Sequence, residues 1–145
     1  MLVGQYTNNV DSKGRIAIPK RLREQLGESV VVTKGYEQSL ILLSAQGWEE
    51  LIRGTGDKPF IIDAARDTNR FLFGNAMEID LDDQGRLVIP GYLREYAEIE
   101  KEAVFVGVGR YVEVWNQTRW ARHQEYLMKN ISVIARNLST FNDTK

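Results

Sequence analysis

The sequence predicts a mixed α+β protein built as two half-domains of one design. Three observations predict it. The stretch Asp11-Ser12-Lys13-Gly14-Arg15-Ile16-Ala17-Ile18-Pro19-Lys20-Arg21-Leu22-Arg23-Glu24 recurs, without a gap, as Asp82-Asp83-Gln84-Gly85-Arg86-Leu87-Val88-Ile89-Pro90-Gly91-Tyr92-Leu93-Arg94-Glu95. A solvated loop has no reason to repeat Asp, Gly, Arg, Ile, Pro, Arg and Glu in register, whereas a duplicated unit does. The segments after each copy replay the same order of apolar runs, turns and helical patterns. Finally, the chain has 145 residues, so each half alone would have a thin core, and the halves are expected to share one core or to share it with other subunits.

Each copy has the same local grammar. An alternating strand leads in, through Tyr6, Asn8 and Val10 or Met77, Ile79 and Leu81, with polar residues mostly between. Asp11 or Asp82 opens a turn, because a carboxylate there can accept backbone N–H groups a residue or two on. Gly14 or Gly85 falls where a bulged hairpin turn needs positive φ. Arg15 or Arg86 leaves the turn on the next strand. Pro19 or Pro90 stops that strand and can open a short helix. Leu22 and Leu26 bury one side of the first such helix and Gly27 ends it; Leu93 and Ala97 take the apolar places in the second.

The rest of the first half follows in order. Ser29 to Thr33 is an apolar, β-branched strand, residues 34–37 turn the chain, and Leu40 to Leu43 is the next strand. Ser44 caps a helix with Trp48, Leu51 and Ile52 on its buried side. Residues 54–57 break it, and a second helix runs roughly over 58–71, with Ile61, Ala64, Ala65, Thr68 and Phe71 at helical spacing. Gly74-Asn75 leads into the second copy. There Val104 to Val108 matches Val30 to Lys34, Gly109 matches Gly35, and Val112 to Trp115 matches Leu40 to Leu43. Asn116 takes the cap position of Ser44 and Trp120 the position of Trp48. The last helix carries a sustained apolar stripe, Trp120, Leu127, Ile131, Ile134 and Leu138, assigned to core or to a subunit contact. The tail after Phe141 is polar and expected to fray.

Composition narrows the function. The net charge is −1, so the chain is no generic polycation. Charge is nevertheless uneven: residues 12–23 hold five basic side chains and no acid, and residues 78–102 hold eight acids against three basic residues. An anionic partner would meet a local patch. There is no cysteine, hence no disulfide framework or thiol chemistry. No signal-like start and no membrane-length apolar run is visible, and a reducing cytoplasm is expected.

Catalytic and cofactor patterns are lacking. The single histidine, His123, sits mid-helix away from any carboxylate cluster. The segment 80–85 resembles the start of a calcium loop, but Gly91 stands where the bidentate acid is due. Gly107-Val108-Gly109 lacks the third glycine of a dinucleotide loop, and Lys13-Gly14 reverses the Gly-Lys of a phosphate loop. No enzyme, metal, cofactor or small-molecule substrate is expected.

Arginine at a turn exit is held out on rigid backbone. Lys13 stands at the turn tip, and Lys20, Arg21 and Arg23 follow. Guanidinium groups suit bidentate bonds to phosphate or guanine edges, and a two-stranded ribbon fits the major groove. Alternation puts Arg15 and Ala17 on one face with Ile16 and Ile18 on the other. Residue chemistry alone leaves two readings open, DNA contact and a solvated structural turn.

The tandem Asp-x-x-Gly-Arg-(Ile/Leu)-x-Ile-Pro motifs, with Gly4-Gln5-Tyr6 and Arg70-Phe71-Leu72-Phe73-Gly74, resemble the MraZ family of bacterial transcriptional regulators over nearly the whole chain. The resemblance implies a double-split β-barrel of two AbrB-like halves related by a pseudo-twofold axis, with flanking helices. On that basis the chain divides into a first repeat (5–47), connecting helices (48–75), a second repeat (76–119), and a C-terminal helix and tail (120–145). It implies a ring-shaped homo-oligomer, cytoplasmic and nucleoid-associated, that binds short direct repeats in double-stranded DNA upstream of the division and cell-wall gene cluster. The family's Asp-x-x-x-Arg motif maps onto Asp11 with Arg15 and Asp82 with Arg86. Asp11, Gly14, Asp82 and Gly85 are then turn-bracing; Arg15, Arg86, Lys13, Gln84, Lys20, Arg21 and Arg23 are candidate DNA contacts. Gln84 replaces Lys13, and Gly91 and Tyr92 replace Lys20 and Arg21, so the second hairpin is poorer in charge. A structural or antitoxin-type interaction module without its own operator is the alternative; such a chain would usually end in a disordered tail, whereas this one ends in a patterned helix.

Overall fold

The computed structural model describes residues 1–56 and 60–143. Among them the chain forms eight strands and five helices: β1 (Leu2–Asn9), β2 (Arg15–Ala17), α1 (Lys20–Leu26), β3 (Ser29–Lys34), β4 (Leu40–Leu43), α2 (Ala45–Gly56), α3 (Asp63–Leu72), β5 (Met77–Asp80), β6 (Arg86–Val88), α4 (Gly91–Ala97), β7 (Glu102–Gly109), β8 (Val112–Trp115) and α5 (Gln117–Asp143). The architecture is α+β with antiparallel pairing throughout. Six strands form one sheet in the order β1-β7-β8-β4-β3-β5, and β2 pairs with β6 as a separate ribbon. The large sheet does not close on itself; β1 and β5 are its edges.

The duplicated stretches are not hairpins in the ladder sense. β1 and β2 flank the first turn but part after it: β1 pairs with β7 and β2 with β6, each from the other half. The second copy does the same, with β5 on β3. One side-chain tie crosses the split, from Asn8 Nδ2 to the Ala17 carbonyl at 2.6 Å. The apolar alternation on both sides of each turn is satisfied by burial between the halves rather than by local pairing, through Tyr6, Val10, Ile79 and Leu81; Met77, at the start of β5, is exposed.

Pairing is symmetric under exchange of the halves. Arg15 opposes Val88 as Arg86 opposes Ala17, and Leu40 opposes Val114 as Val112 opposes Leu42. Asn8 opposes Ala103 as Ile79 opposes Val30. The counterpart of Val30 is therefore Ala103, one residue before the Val104 expected from sequence matching. A one-residue slip would turn the buried face outward, so burial decides the register. Residues 98–101 make a longer link into β7 than Gly27-Glu28 makes into β3. Gly109 and Gly35 do not correspond either. Gly109 has φ 98°, whereas in the first half positive φ falls on Glu37 and Gln38.

One core lies between the ribbon, α1, α4 and the near face of the sheet. Ile16, Ile18, Leu87 and Ile89 meet Leu22, Leu26, Leu93 and Ala97 over Val30, Val32, Leu40, Leu42, Phe105 and Val114. Phe105 is fully buried, and truncating it to alanine would cost about 3–5 kcal/mol. Neither half holds this core alone.

The far face of the sheet carries the other helices. Ser44 caps α2, its Oγ accepting from Gly47 N at 3.0 Å, and Trp48 meets Phe73 edge-on at 5.3 Å. Helix α2 continues through the glycines at 54 and 56, because a helix tolerates glycine at about 1 kcal/mol each; the proposed break at Asp57 and helix start at Lys58 lie outside the described residues. Helix α3 begins only at Asp63, whose charge suits the positive end of the helix. Ile61 precedes it and is exposed. Asn116 caps α5, its Oδ1 accepting from Arg119 N at 3.0 Å. Trp120 packs on Trp115, Val104 and Val106, with Leu127 against them. Beyond that the stripe is largely uncovered: Ile134 is half-buried, and Ile131 and Leu138 are 55% and 61% exposed. At 27 residues and 1.5 Å per residue, α5 is about 40 Å long, and it is regular to Asp143, past the expected start of fraying. Among the described residues no helix is long and apolar enough to cross a membrane, and no His, Cys, Asp or Glu cluster is arranged to hold a metal.

Candidate nucleic-acid interface

The two turns are built alike, atom for atom. Asp11 Oδ1 accepts from the backbone N–H of Lys13 at 2.9 Å and of Arg15 at 2.8 Å. Asp82 Oδ1 accepts from Gln84 and Arg86, each at 2.9 Å. Gly14 N donates to the Asp11 carbonyl, and Gly85 N to that of Asp82. Both glycines have positive φ, 80° and 73°, which other residues adopt only under strain. The backbone N–H of Arg15 is the main reason the Asp11 carboxyl lies below its ordinary pKa; it outweighs the opposing desolvation, and the Arg15 side chain and the Lys13 N–H lower it further. Asp82 is held down in the same way by Arg86 and Gln84. Both stay ionised carboxylates at neutral pH.

Each Asp also orients an arginine. Arg15 Nε donates to Asp11 Oδ2, and Arg86 Nε to Asp82 Oδ2, both at 2.8 Å. The side chains are 32% and 26% exposed, so they are half-buried rather than free in solvent. Among the described residues, the hydrogen bonds of both arginine side chains run through Nε. That leaves Nη1 and Nη2 of each as a planar fork, suited to phosphate or to the O6/N7 edge of guanine.

The ribbon joins the two arginines into one surface. Ile16 and Leu87, a cross-strand pair, point inward and are buried. Arg15, Ala17, Arg86 and Val88 lie on the opposite face, with the arginines diagonal to each other. Diagonal neighbours of an antiparallel pair lie about 7–8 Å apart. The sequence points to two separate arginine turns, whereas the fold makes a single two-arginine ribbon.

The remaining candidates divide. Lys13, Lys20, Arg21 and Gln84 are exposed. Arg23 is engaged inside the chain: its Nη1 donates to the carbonyls of Ile18 and Gln84, each at 3.2 Å. Its counterpart Arg94 donates to the carbonyls of Ile99 and Glu100, and its Nη1 lies 3.4 Å from where a Cβ on Gly14 would stand. Each helix arginine thus sits against the other half's turn. Ile18 N also donates to the Gly85 carbonyl at 3.1 Å, so the start of α1, with Lys20 and Arg21, stands beside the second turn. The charge that sequence order takes away from the second turn is returned to it by α1. Arg94 is absent from the candidates read from sequence, although it matches Arg23 within the duplicated stretch.

Comparison with known proteins gives one family. The family model described as MraZ protein, antitoxin-like, matches twice, over residues 1–71 and 72–142. The chain is 39% identical to a transcriptional regulator MraZ of Caldanaerobacter subterraneus over 142 residues, covering 98% of this chain and 99% of that one. It is 40% identical to that of Moorella thermoacetica over 141 residues, 97% and 99% of the two chains. Against that of Alkaliphilus oremlandii the identity is 42% over 123 residues, 85% and 86%.

Proposed function

The chain belongs to the MraZ family, and on that premise we propose that it is a sequence-specific DNA-binding regulator of transcription. The observation that carries this reading is the outward face of the β2–β6 ribbon, where Arg15 and Arg86 are each held by an ionised Asp through Nε. A ribbon of this width fits a major groove, and two forks about 7–8 Å apart span about two base steps of 3.4 Å. Lys13 at one end, and Lys20, Arg21 and Gln84 at the other, contact the flanking phosphates. Arg23 serves as a positioning residue for the second turn. Asp11, Gly14, Asp82 and Gly85 hold the turn shape.

We read the exchange-symmetric pairing as the double-split arrangement of two AbrB-like repeats, 5–47 and 76–119, with connecting helices at 48–75 and a C-terminal helix and tail at 120–145. One ribbon makes few contacts, and non-specific binding of such strength is typically about 10⁻⁴–10⁻⁶ M. Subunits joined in a ring would present several ribbons at fixed spacing, raising affinity for tandem repeats by roughly 10²–10⁴. The exposed apolar positions of α5, Ile131 and Leu138 among them, support such joining. The working site is then the cytoplasm, at the nucleoid, with short direct repeats upstream of the division and cell-wall genes as target. No catalytic role is assigned.

The test is a mobility shift with DNA from upstream of the chain's own gene, in excess competitor, with light scattering of the free protein. Selective binding by an oligomer is expected. Equal binding to coding DNA of the same length would overturn the regulator reading, and a monomer would overturn the ring.

A further inference from the structure

The ribbon's outward face is nearly symmetric, but not at one pair. Val88 is 52% exposed, whereas its counterpart Ala17 is smaller and half-buried. Val88 stands directly opposite Arg15 and two residues along from Arg86. Its Cγ1 lies 4.0 Å from where a Cβ on Gly14 would be, against the first turn. An exposed aliphatic residue alone needs no explanation. One fixed between two guanidinium forks, on the face that carries them, is different. Most of what a major groove offers at that depth is polar; its apolar group is the 5-methyl of thymine.

We propose that Val88 reads a thymine methyl beside the base held by Arg15, and so gives the ribbon a direction on DNA. This rests on the regulator reading above and deepens it. Directly opposed side chains on an antiparallel pair have Cβ atoms about 4.5–5.5 Å apart, against a base step of about 3.4 Å. The thymine therefore lies within two base pairs of the base contacted by Arg15. Two arginines related by the exchange of halves would by themselves read a site and its inverse equally. Val88 at one end and Ala17 at the other break that equivalence. A directional ribbon suits repeats that all run the same way.

The experiment uses the full chain and its upstream DNA, with each thymine of a repeat replaced in turn by 2′-deoxyuridine, which removes the methyl and keeps the pairing. At one position per repeat the wild type is expected to lose about fourfold in affinity, the worth of one buried methyl group. Val88→Ala is expected to bind thymine and uracil DNA equally there. Val88→Thr, which keeps the β-branched shape and exchanges one methyl for a hydroxyl, is expected to lose part of the discrimination while melting with the wild type. Indifference of the wild type to every uracil, or undiminished discrimination by Val88→Ala, would overturn the proposal. In either case selective binding that is lost in Arg15→Ala leaves the regulator reading standing. A wild type that does not select its upstream DNA overturns both.

Discussion

Arg23, on α1 of the first half, donates through Nη1 to the carbonyl of Gln84 at the tip of the second turn, at 3.2 Å. The bond joins residues far apart in sequence and makes the second turn dependent on the other half. It also explains the environment of Gly85, where an added Cβ would stand 2.0 Å from Arg23 Nη1.

Gly85→Ala is therefore expected to destabilise more than Gly14→Ala. Both would place a Cβ in the left-handed region, at a cost of about 1–2 kcal/mol. At Gly14 the nearest atom is 3.4 Å away, so the conformational cost stands nearly alone. Urea denaturation of both variants, with Arg23→Ala added to Gly85→Ala, checks the account. Removing Arg23 should recover the steric excess; equal losses at the two glycines would sink it.

Arg15→Ala should lower affinity for upstream DNA by roughly 1–3 kcal/mol per base contact, and Arg86→Ala similarly, since the two share one ribbon. Arg15 is half-buried and bound to Asp11, so the fold is not indifferent to its loss, unlike the exposed side chain that sequence alone implies. Arg15→Lys should not restore binding, because one ammonium cannot both pair with Asp11 and present a planar fork. Fluorescence anisotropy at fixed salt measures each. Wild-type affinity in Arg86→Ala would mean that the ribbon reads through one arginine.

Salt dependence separates backbone contacts from base contacts. Each phosphate contact deleted should reduce the slope of log K against log salt by about 0.9. Lys13→Gln and Lys20→Gln are expected to do so, and Gln84→Lys to increase it. Lys20 is the sharper case, because its effect should appear at the end of the site proposed for Arg86, where α1 stands against the second turn. An unchanged slope for Lys20→Gln would remove α1 from the interface.

Acid should act on the fold with opposite signs at two places. Asp11 and Asp82 have folded pKa values below the ordinary value of 3.8, chiefly through the N–H groups of Arg15 and Arg86. Their contribution is present above that value and is lost as pH falls through the folded one, so acid should loosen the turns. Asp11→Asn should remove the first turn's share of this dependence, and Asp11→Asn with Asp82→Asn the whole of it. Glu113 is shifted up by burial, against the Trp115 indole N–H that donates to it and with a further rise from Glu37. Its contribution is present in acid and lost as pH rises through its folded value. Glu113→Gln should thus be more stable than wild type at neutral pH, with the difference closing on acidification. Thermal melts from pH 3 to pH 7 would expose a wrong sign in either case.

The sequence by itself determined what is decided within a few residues. Asp11 reaches the N–H of Lys13, two residues on, as a short carboxylate at the start of a turn can; its bonds to the N–H and Nε of Arg15, four residues on, lie beyond that local expectation. Gly14 and Gly85 supply positive φ, Ser44 and Asn116 cap the helices behind them, and the alternation of Arg15, Ile16, Ala17 and Ile18 sets which face is buried. Duplication of that grammar made the two halves visible. Tertiary structure alone decided the partners. Whether β2 pairs with β1 or with β6 depends on apolar surface brought together from both halves, which no local spacing records. The same burial moved Val30 against Ala103 rather than Val104 as its counterpart, committed Arg23 to the second turn, and carried Lys20 and Arg21 across to the turn that lacks a lysine. The arginines were legible as residues; that they share one face with Val88 follows only from how the halves close on each other.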